Sequence, residues 1–361
     1  MEENQRSIEN IVSARSLMNF IPLQMTLEAA IELNVFSIIA KSGPTGSHLT
    51  AKEIASQIPT SNPNSARNLD RILRMLAVHS LLSTSLKPSA DNEALQDRAY
   101  GLTKETLCLV PDENGVSLAP LISFNCELDI VKSLSMLKDS VLEPEIVPFH
   151  KAHGTTIVEY MSTKAELSQL FNKSMAESSN LNFDEVLKVY KGFEEVKELM
   201  DVGGGIGKTI WKVVSKHPHI HGINFDLPNV VAQAPPYQGV NHIGGNMFET
   251  IPNAQSIMLK WVLHNWEDDR CKKLLKSCWE ALPKNGKVIV VEFTIPEVLE
   301  NTKAVLNIVT LDISMMALPG GRERTTAEFD NLAKSVGFVE TKIFPIAQGI
   351  CVMEFLKTEE A

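Results

Sequence analysis

Three side chains in the C-terminal half could together move a proton. His264 lies in Lys260-Trp261-Val262-Leu263-His264-Asn265-Trp266, just beyond an apolar run, Ser256–Trp261, that reads as a strand. Open α/β sheets place ligands and reactive groups at that end of their strands. An imidazole titrates near physiological pH, which suits it to take the proton of a hydroxyl. Glu292 ends the apolar stretch Lys287-Val288-Ile289-Val290-Val291, where a charge is costly unless something partners it. Glu323 follows the turn Pro319-Gly320-Gly321. A carboxylate hydrogen-bonded to one imidazole nitrogen fixes the tautomer and leaves the other nitrogen as a base. Blander readings stand beside these: His264 as a histidine at the start of a helix, and Glu323 in a salt bridge with Arg322 or Arg324.

The elements that position these groups are organised around Leu199-Met200-Asp201-Val202-Gly203-Gly204-Gly205-Ile206-Gly207. A short apolar run meets glycines at alternate positions, and helical periodicity follows, so strand, tight turn and helix are expected. A dinucleotide fingerprint fails, because the residue three after Gly205 is Lys208. A P-loop fails too, because Val202 stands where its first glycine belongs. What remains is acidic-x-G-x-G-x-G, which resembles the S-adenosylmethionine (SAM) loop of class I methyltransferases. A glycine-rich turn with no ligand is the alternative. Asp226 closes the next short apolar run, 19 residues past Gly207, where an acid can hold ribose hydroxyls. It could instead cap the helix begun by Leu227-Pro228.

Length and composition suit an ordinary globular chain with room for two domains. The net charge of −10 offers no basic field for a phosphate backbone, so nucleic acid is excluded as a partner. Cys108, Cys126, Cys271, Cys278 and Cys351 are odd in number and lack zinc spacing, so idle thiols in a reducing compartment are expected. His217-Pro218-His219-Ile220-His221 reads as solvated loop histidines, since no carboxylate or cysteine nearby completes a ligand set. Met1-Glu2-Glu3-Asn4-Gln5-Arg6 is unlike a signal peptide. The early run Ile21–Ala40 is interrupted by Gln24, Glu28 and Glu32, so no membrane span is expected. A cytoplasmic protein follows.

The first third reads as helices over Ile11–Met18, Leu23–Ile39, Ala51–Gln57 and Asn64–Leu82. Breakers at Gly43-Pro44, Pro59 and Pro63 separate them, and Thr50 with Glu53 forms a capping box. Tyr100-Gly101-Leu102-Thr103 suggests one strand of a hairpin, hence a winged-helix arrangement. The apolar stripe Ile21, Leu23, Met25, Ala29, Leu33, Phe36 points to a homodimer interface. Helical periodicity continues from Gly115 to Tyr190, including a helix over Thr163–Asn180 that carries Phe171, Met175 and Leu181. Strands are expected at Leu199–Val202, Gly222–Phe225, Val240–Gly244, Ser256–Trp261, Lys287–Phe293, Phe338–Pro345 and Ile350–Leu356. Alternation with helices makes the first five parallel, and the short connection between the last two makes those antiparallel. The expected fold class is α/β: residues 1–114 a helical, winged-helix-like dimerisation domain, and residues 115–361 a Rossmann-like domain with a mostly parallel seven-stranded sheet.

The chain from Leu23–Ala40 to Ile350–Lys357 resembles the plant small-molecule O-methyltransferases of the caffeic acid and flavonoid type. The matching motifs are Asp201–Gly207, Asn224-Phe225-Asp226-Leu227-Pro228, Gly244-Gly245-Asn246-Met247-Phe248, Lys260–Trp266 and Gly320-Gly321-Arg322-Glu323-Arg324-Thr325. The resemblance implies His264 as general base flanked by Glu292 and Glu323, a homodimer, and no metal. It implies that Gly203, Asp226, Asn246, Met247 and Lys260 hold SAM, with Ser179 near its carboxylate. It implies a phenolic substrate contacted by Phe124, Asn125, Phe171, Met175, Asn265 and Met315. Asn246 stands where relatives commonly carry Asp to accept the adenine amine; an amide carbonyl can still accept, so weaker SAM binding is expected. Ser178 and Leu318 replace more polar pocket residues, and Met315-Met316-Ala317-Leu318-Pro319 is one residue shorter. These departures turn the expectation from lignin precursors toward a flavonoid or a benzylisoquinoline alkaloid. A catalytically silent SAM-binding subunit would lose the base, yet His264, Glu292 and Glu323 are all present.

Overall fold

A computed structural model describes residues 8–43, 46–89 and 94–358; Met1–Arg6 and Pro44 lie outside them. The chain folds as two compact units, one up to Glu127 and one from Leu128. In the first, Thr50 caps the helix Ala51–Ala55 through the reciprocal Thr50–Glu53 capping box that the sequence predicts. The helices Ile8–Ser16 and Ser65–Val78 end earlier than their apolar patterns suggest. The expected Leu23–Ile39 helix is two, Phe20–Glu32 and Val35–Lys41. Between them Asn34 adopts φ 55°, a left-handed turn that asparagine tolerates better than most residues. The turn lets Val35, Phe36 and Ile39 enter the core beside Leu69, Leu73 and Leu76. The strand near Tyr100 starts at Gln96, and Thr103 leaves it to cap the helix Lys104–Leu107. β1 (Leu49–Thr50), β2 (Leu82–Pro88) and β3 (Gln96–Leu102) form an antiparallel sheet in the order β1-β3-β2. Helices followed by this wing give the winged-helix-like arrangement.

The apolar stripe expected to lie free is mostly spent inside this unit. Phe36 is buried, and Leu23 and Leu33 pack against its core. Of the stripe, Ile21 stays exposed, and it lies beside the exposed Ile8, Val12, Leu17, Met18 and Phe20 of the first helices.

The second unit is built on β4 (Glu198–Val202), β5 (His221–Asp226), β6 (Val240–Gly244), β7 (Ser256–Lys260), β8 (Lys287–Phe293), β9 (Glu340–Pro345) and β10 (Ile350–Leu356). The sheet order is β6-β5-β4-β7-β8-β10-β9. β4 to β8 pair parallel, and β10 runs antiparallel to both β8 and β9, as the sequence predicts. Alternate residues feed two cores: Ile257, Leu259, Val288 and Val290 face one, Met258, Ile289 and Val291 the other. Burial on both faces is why these strands read as continuous apolar runs.

Several boundaries differ from expectation: β4 starts one residue early, β5 is one residue longer at each end, and β9 starts at Glu340 rather than Phe338. β7 stops at Lys260 because Trp261 turns to φ 54°. The helix begun at Ala165 runs past Asn180 to Val189 because Phe183, Val186 and Leu187 continue its buried face. All five cysteines are free, with Cys271 and Cys278 on the buried face of the helix Asp268–Ala281. Among the described residues no single helix is long and apolar enough to cross a membrane.

The order in the sheet reverses between β4 and β7, and a crevice forms at the carboxyl ends of the strands beside such a switch point. The glycine loop, Asp226, Asn246, Lys260 and Glu292 all follow or end strands on that edge.

Candidate active site

The loop after β4 uses its glycines for backbone shape. Gly203, Gly205 and Gly207 have φ of 75°, 58° and 83°, which side-chain-bearing residues rarely adopt. A Cβ on Gly203 would stand 2.8 Å from the Val262 side chain, whereas at Gly205 it would meet nothing within 4 Å. The loop therefore packs on one side and faces open space at Gly205. Buried Asn224 anchors it by donating to the Gly205 carbonyl at 2.9 Å. Asp226 Oδ2 accepts the Gly205 N–H at 2.7 Å, and Oδ1 accepts the N–H of Leu227 at 2.7 Å. The capping alternative for Asp226 fails, because the N-cap of the helix Pro228–Val231 is Leu227, with no side-chain cap.

Beneath the loop, Asp201 is buried with Oδ2 lacking a hydrogen-bond partner. Burial pushes its carboxyl up and the Lys260 ammonium down, and their mutual attraction opposes both shifts. The Lys260 ammonium lies 3.4 Å from the centre of the Trp261 ring. Burial also raises Asp226, with its two amide contacts opposing. Asn246, just past β6, accepts the Phe248 N–H and donates to Glu249, each at 3.0 Å. These partners of opposite sign fix the amide, leaving one carbonyl lone pair for a further donor. Met247 packs against the core beside Phe248, whose ring meets Trp266 edge-on at 4.8 Å. An open glycine loop, an acid beside it, an oriented amide and a lysine fit a nucleoside ligand with a charged tail.

His264 sits in the short turn Leu263–Asn265, and it, Glu292 and Glu323 are all buried. Glu292 Oε1 accepts the N–H groups of Val262 at 2.9 Å and Leu263 at 2.8 Å, which satisfies one oxygen of the charge read as costly. Its Oε2 points at His264 Nδ1 from 3.7 Å. Glu323 Oε1 lies 2.7 Å from the same nitrogen. A neutral imidazole donating Nδ1–H to Glu323 leaves the Nε2 lone pair free as a base. Burial lowers the His264 pKa, but the carboxylates of Glu292 and Glu323 outweigh it and hold the imidazole above its ordinary value. Burial pushes Glu292 up to about 7.

The salt-bridge alternative for Glu323 fails. Arg322 pairs with Glu328 at 2.7 Å and Asp268 at 3.2 Å, and Arg324 pairs with Asp268 at 2.8 Å. Glu323 is held instead through its own N–H, donated to Asp312 at 2.8 Å. The sequence offers only one signal of the link between Arg324 and Asp268, their opposite charges. Gly321 packs directly on the His264 turn, where a Cβ would lie 2.0 Å from the His264 carbonyl oxygen. Gly321→Ala should therefore displace His264 and lower kcat about tenfold or more while SAM affinity holds; unchanged kcat by steady-state assay would contradict that packing.

The trio's ligand-type atoms lie within 4.8 Å of one another, so a cation is a geometric option. However, Nδ1 and both engaged carboxylate oxygens already hold hydrogen bonds. The solvated-histidine expectation is corrected in part. His217 packs on Phe193, 6.1 Å between ring centres, with Nε2 buried and unpartnered, whereas His219 and His221 are exposed, His221 beginning β5 rather than lying in the loop.

Asn265 donates its amide to the Trp261 carbonyl at 3.0 Å. The Met315 carbonyl accepts from Gly320 and Gly321, both at 3.0 Å, starting the loop that carries Glu323. Phe171 and Met175 are half-buried one turn apart on the helix Ala165–Val189, and Ser179 spends its hydroxyl on the Met175 carbonyl at 2.6 Å. Ser178 and Leu318 are buried. Phe124 and Asn125 belong to the first unit, on the helix Ala119–Cys126; Phe124 is buried and the Asn125 carbonyl accepts from Gln24 at 3.1 Å.

Residues 134–339 match the family profile of the O-methyltransferase domain, and residues 16–112 that of the O-methyltransferase dimerisation domain. The chain is 52% identical to (S)-scoulerine 9-O-methyltransferase of Coptis japonica, over 96% of this chain and 90% of that one. It is 45% identical to caffeic acid 3-O-methyltransferase of Medicago sativa, over 95% and 93%. Human N-acetylserotonin methyltransferase, solved with SAM, shares the fold with a TM-score of 0.83 and 19% identity, over 99% of this chain and 100% of that one. The chain thus belongs to the plant O-methyltransferase family and is an enzyme that moves a methyl group from S-adenosylmethionine to oxygen.

Proposed function

We propose that this enzyme methylates a phenolic hydroxyl of a benzylisoquinoline alkaloid, with His264 as general base. The observation that carries the base is the 2.7 Å contact between His264 Nδ1 and Glu323, with Glu292 facing the same nitrogen. The loop Gly203–Gly207, Asp226, Asn246, Met247 and Lys260 would hold SAM, with Ser179 toward its carboxylate. When bound, SAM supplies an electrophilic methyl carried by a sulfonium. Two carboxylates against one imidazole favour a cation nearby, and a nearby cation lowers the imidazole pKa toward the neutral, proton-accepting form. His264 then takes the hydroxyl proton on Nε2, while Glu323 and Glu292 stabilise the imidazolium. Within the second unit, Phe171, Met175, Asn265 and Met315 would line the substrate side. No metal takes part in this mechanism.

The alkaloid is favoured over a phenylpropanoid or flavonoid by the scoulerine relative at 52% identity and by buried Ser178 and Leu318. The test is a labelled-SAM screen over scoulerine-type alkaloids, caffeate, flavonoids and simple catechols, with and without EDTA, reading products by mass. Methylation of the alkaloids well above the rest, unchanged by EDTA, is expected. Preference for caffeate would move the substrate to the phenylpropanoids, and loss with EDTA would bring in a metal.

The dimerisation-domain match and the exposed apolar residues of the first helices support a homodimer. Five free cysteines support a reducing compartment such as the cytosol.

A further inference from the structure

Arg324 is the largest fully buried side chain among the described residues, and neither the glycine motif nor the base trio explains why a guanidinium is there. A buried guanidinium is costly unless its donors are used. Nε and Nη2 reach Asp268 Oδ1 at 3.1 and 2.8 Å. Nη1 donates to the Leu263 carbonyl at 3.0 Å and Nη2 to the Trp266 carbonyl at 2.7 Å. Those carbonyls flank His264 and Asn265. Glu292 binds the amides of Val262 and Leu263, so the turn is held by a carboxylate on its amides and a guanidinium on its carbonyls. The Arg324 backbone is fastened as well: it bridges Thr294, just beyond β8, and its carbonyl accepts from Ile295 at 3.1 Å. Arg324 also directly follows Glu323 in the chain.

We infer that Arg324 is the positioning residue of the base: one side chain that locks the turn carrying His264 to the loop carrying Glu323. This rests on the reading of His264 as the base. Loosening Arg324 should lengthen the Glu323–His264 contact without removing either group. The groups facing His264 are Glu292 from β8, Glu323 from its loop and Lys260 from β7, while Cys271 reaches the Leu263 carbonyl from the helix Asp268–Ala281. The Glu323 contact depends on Arg324 most directly, since the two residues are adjacent in the chain.

The test uses Arg324→Lys, which keeps the charge and loses the planar fork. A fall in kcat of about tenfold or more is expected, with SAM Kd held within about twofold. The acid limb of the pH–rate profile should move to lower pH, because a weaker Glu323 contact raises the imidazole less. Asp268→Asn, on the half-exposed end of the fork, should shift both readouts in the same direction and carries the test should the lysine variant not fold. Wild-type kcat and an unmoved acid limb in either folded variant would overturn the inference. So would a loss of kcat that only follows a loss of SAM binding. Full turnover in His264→Gln would remove the base reading itself, which the two fork variants do not probe.

Discussion

His264→Ala should lower kcat by about 10²–10⁴-fold, the range a positioned acid–base group supplies, while SAM binding stays close to wild type. The reason lies in what the side chain touches. His264 contacts the two carboxylates by Nδ1, and the residues assigned to SAM reach the site from the glycine loop, β5, β6 and β7. Removing the imidazole leaves Glu292 and Glu323 facing each other in a buried space, where one of them takes up a proton because like charges there cannot both persist. Glu292, already pushed up to about 7, is the group expected to do so, which keeps the variant folded. The wild-type pH profile carries the same mechanism. The base must be neutral, and its pKa in the free enzyme lies above the ordinary 6.5. kcat/KM for SAM should therefore fall with decreasing pH along a limb centred above that value. A limb below it in kcat/KM for SAM would mean that the carboxylates do not raise the imidazole. Retention of most turnover by the alanine variant, measured with purified protein and saturating substrate, would take His264 out of the mechanism.

Asp226→Ala should weaken SAM binding by about 10- to 100-fold, measured by titration calorimetry. Its carboxylate makes charge-assisted contacts to the N–H groups of Gly205 and Leu227, and hydrogen bonds to a charged group contribute about 1.5–3 kcal/mol. Two effects would combine: the loop loses the acceptor that holds Gly205, and, on the role proposed for Asp226, the ribose loses its hydroxyl partner. Asp226→Asn separates them, since its carbonyl can keep the Gly205 contact while the negative charge is gone. Intermediate affinity in Asp226→Asn is the expected outcome. Wild-type affinity in both variants would refute the ribose role.

Much of this architecture could be read from local pattern. Lys287–Phe293 and Ile350–Leu356 are strands with the boundaries that their apolar runs indicate, because strands buried on both faces announce themselves by composition. The capping box at Thr50 and Glu53 depends only on residues three apart and forms as expected. What escaped the sequence depends on distant partners. The turn at Asn34 splits a helix whose periodicity is unbroken, and it is worthwhile only because Phe36 and Ile39 find a core built from Leu69, Leu73 and Leu76. Arg322 and Arg324 flank Glu323 in sequence yet turn to Asp268 and Glu328, so adjacency along the chain suggested the wrong pairs. The stripe from Ile21 to Phe36 looked like one exposed face, but the break at Asn34 turns its far end inward. The trio of His264, Glu292 and Glu323 was legible by residue type, whereas its geometry required β7, β8 and the turn after Ala317 to converge.

The central claim is that His264 removes a proton from the substrate hydroxyl. The most direct measurement is single-turnover methylation by the wild type and by His264→Ala across phenols of graded acidity, at fixed pH and saturating SAM. Phenols that are already ionised in solution need no base. The defect of the alanine variant should therefore be large for weakly acidic phenols and shrink steadily as acidity rises. A defect of the same size across the whole series would contradict the account, and would leave His264 shaping the pocket rather than moving a proton.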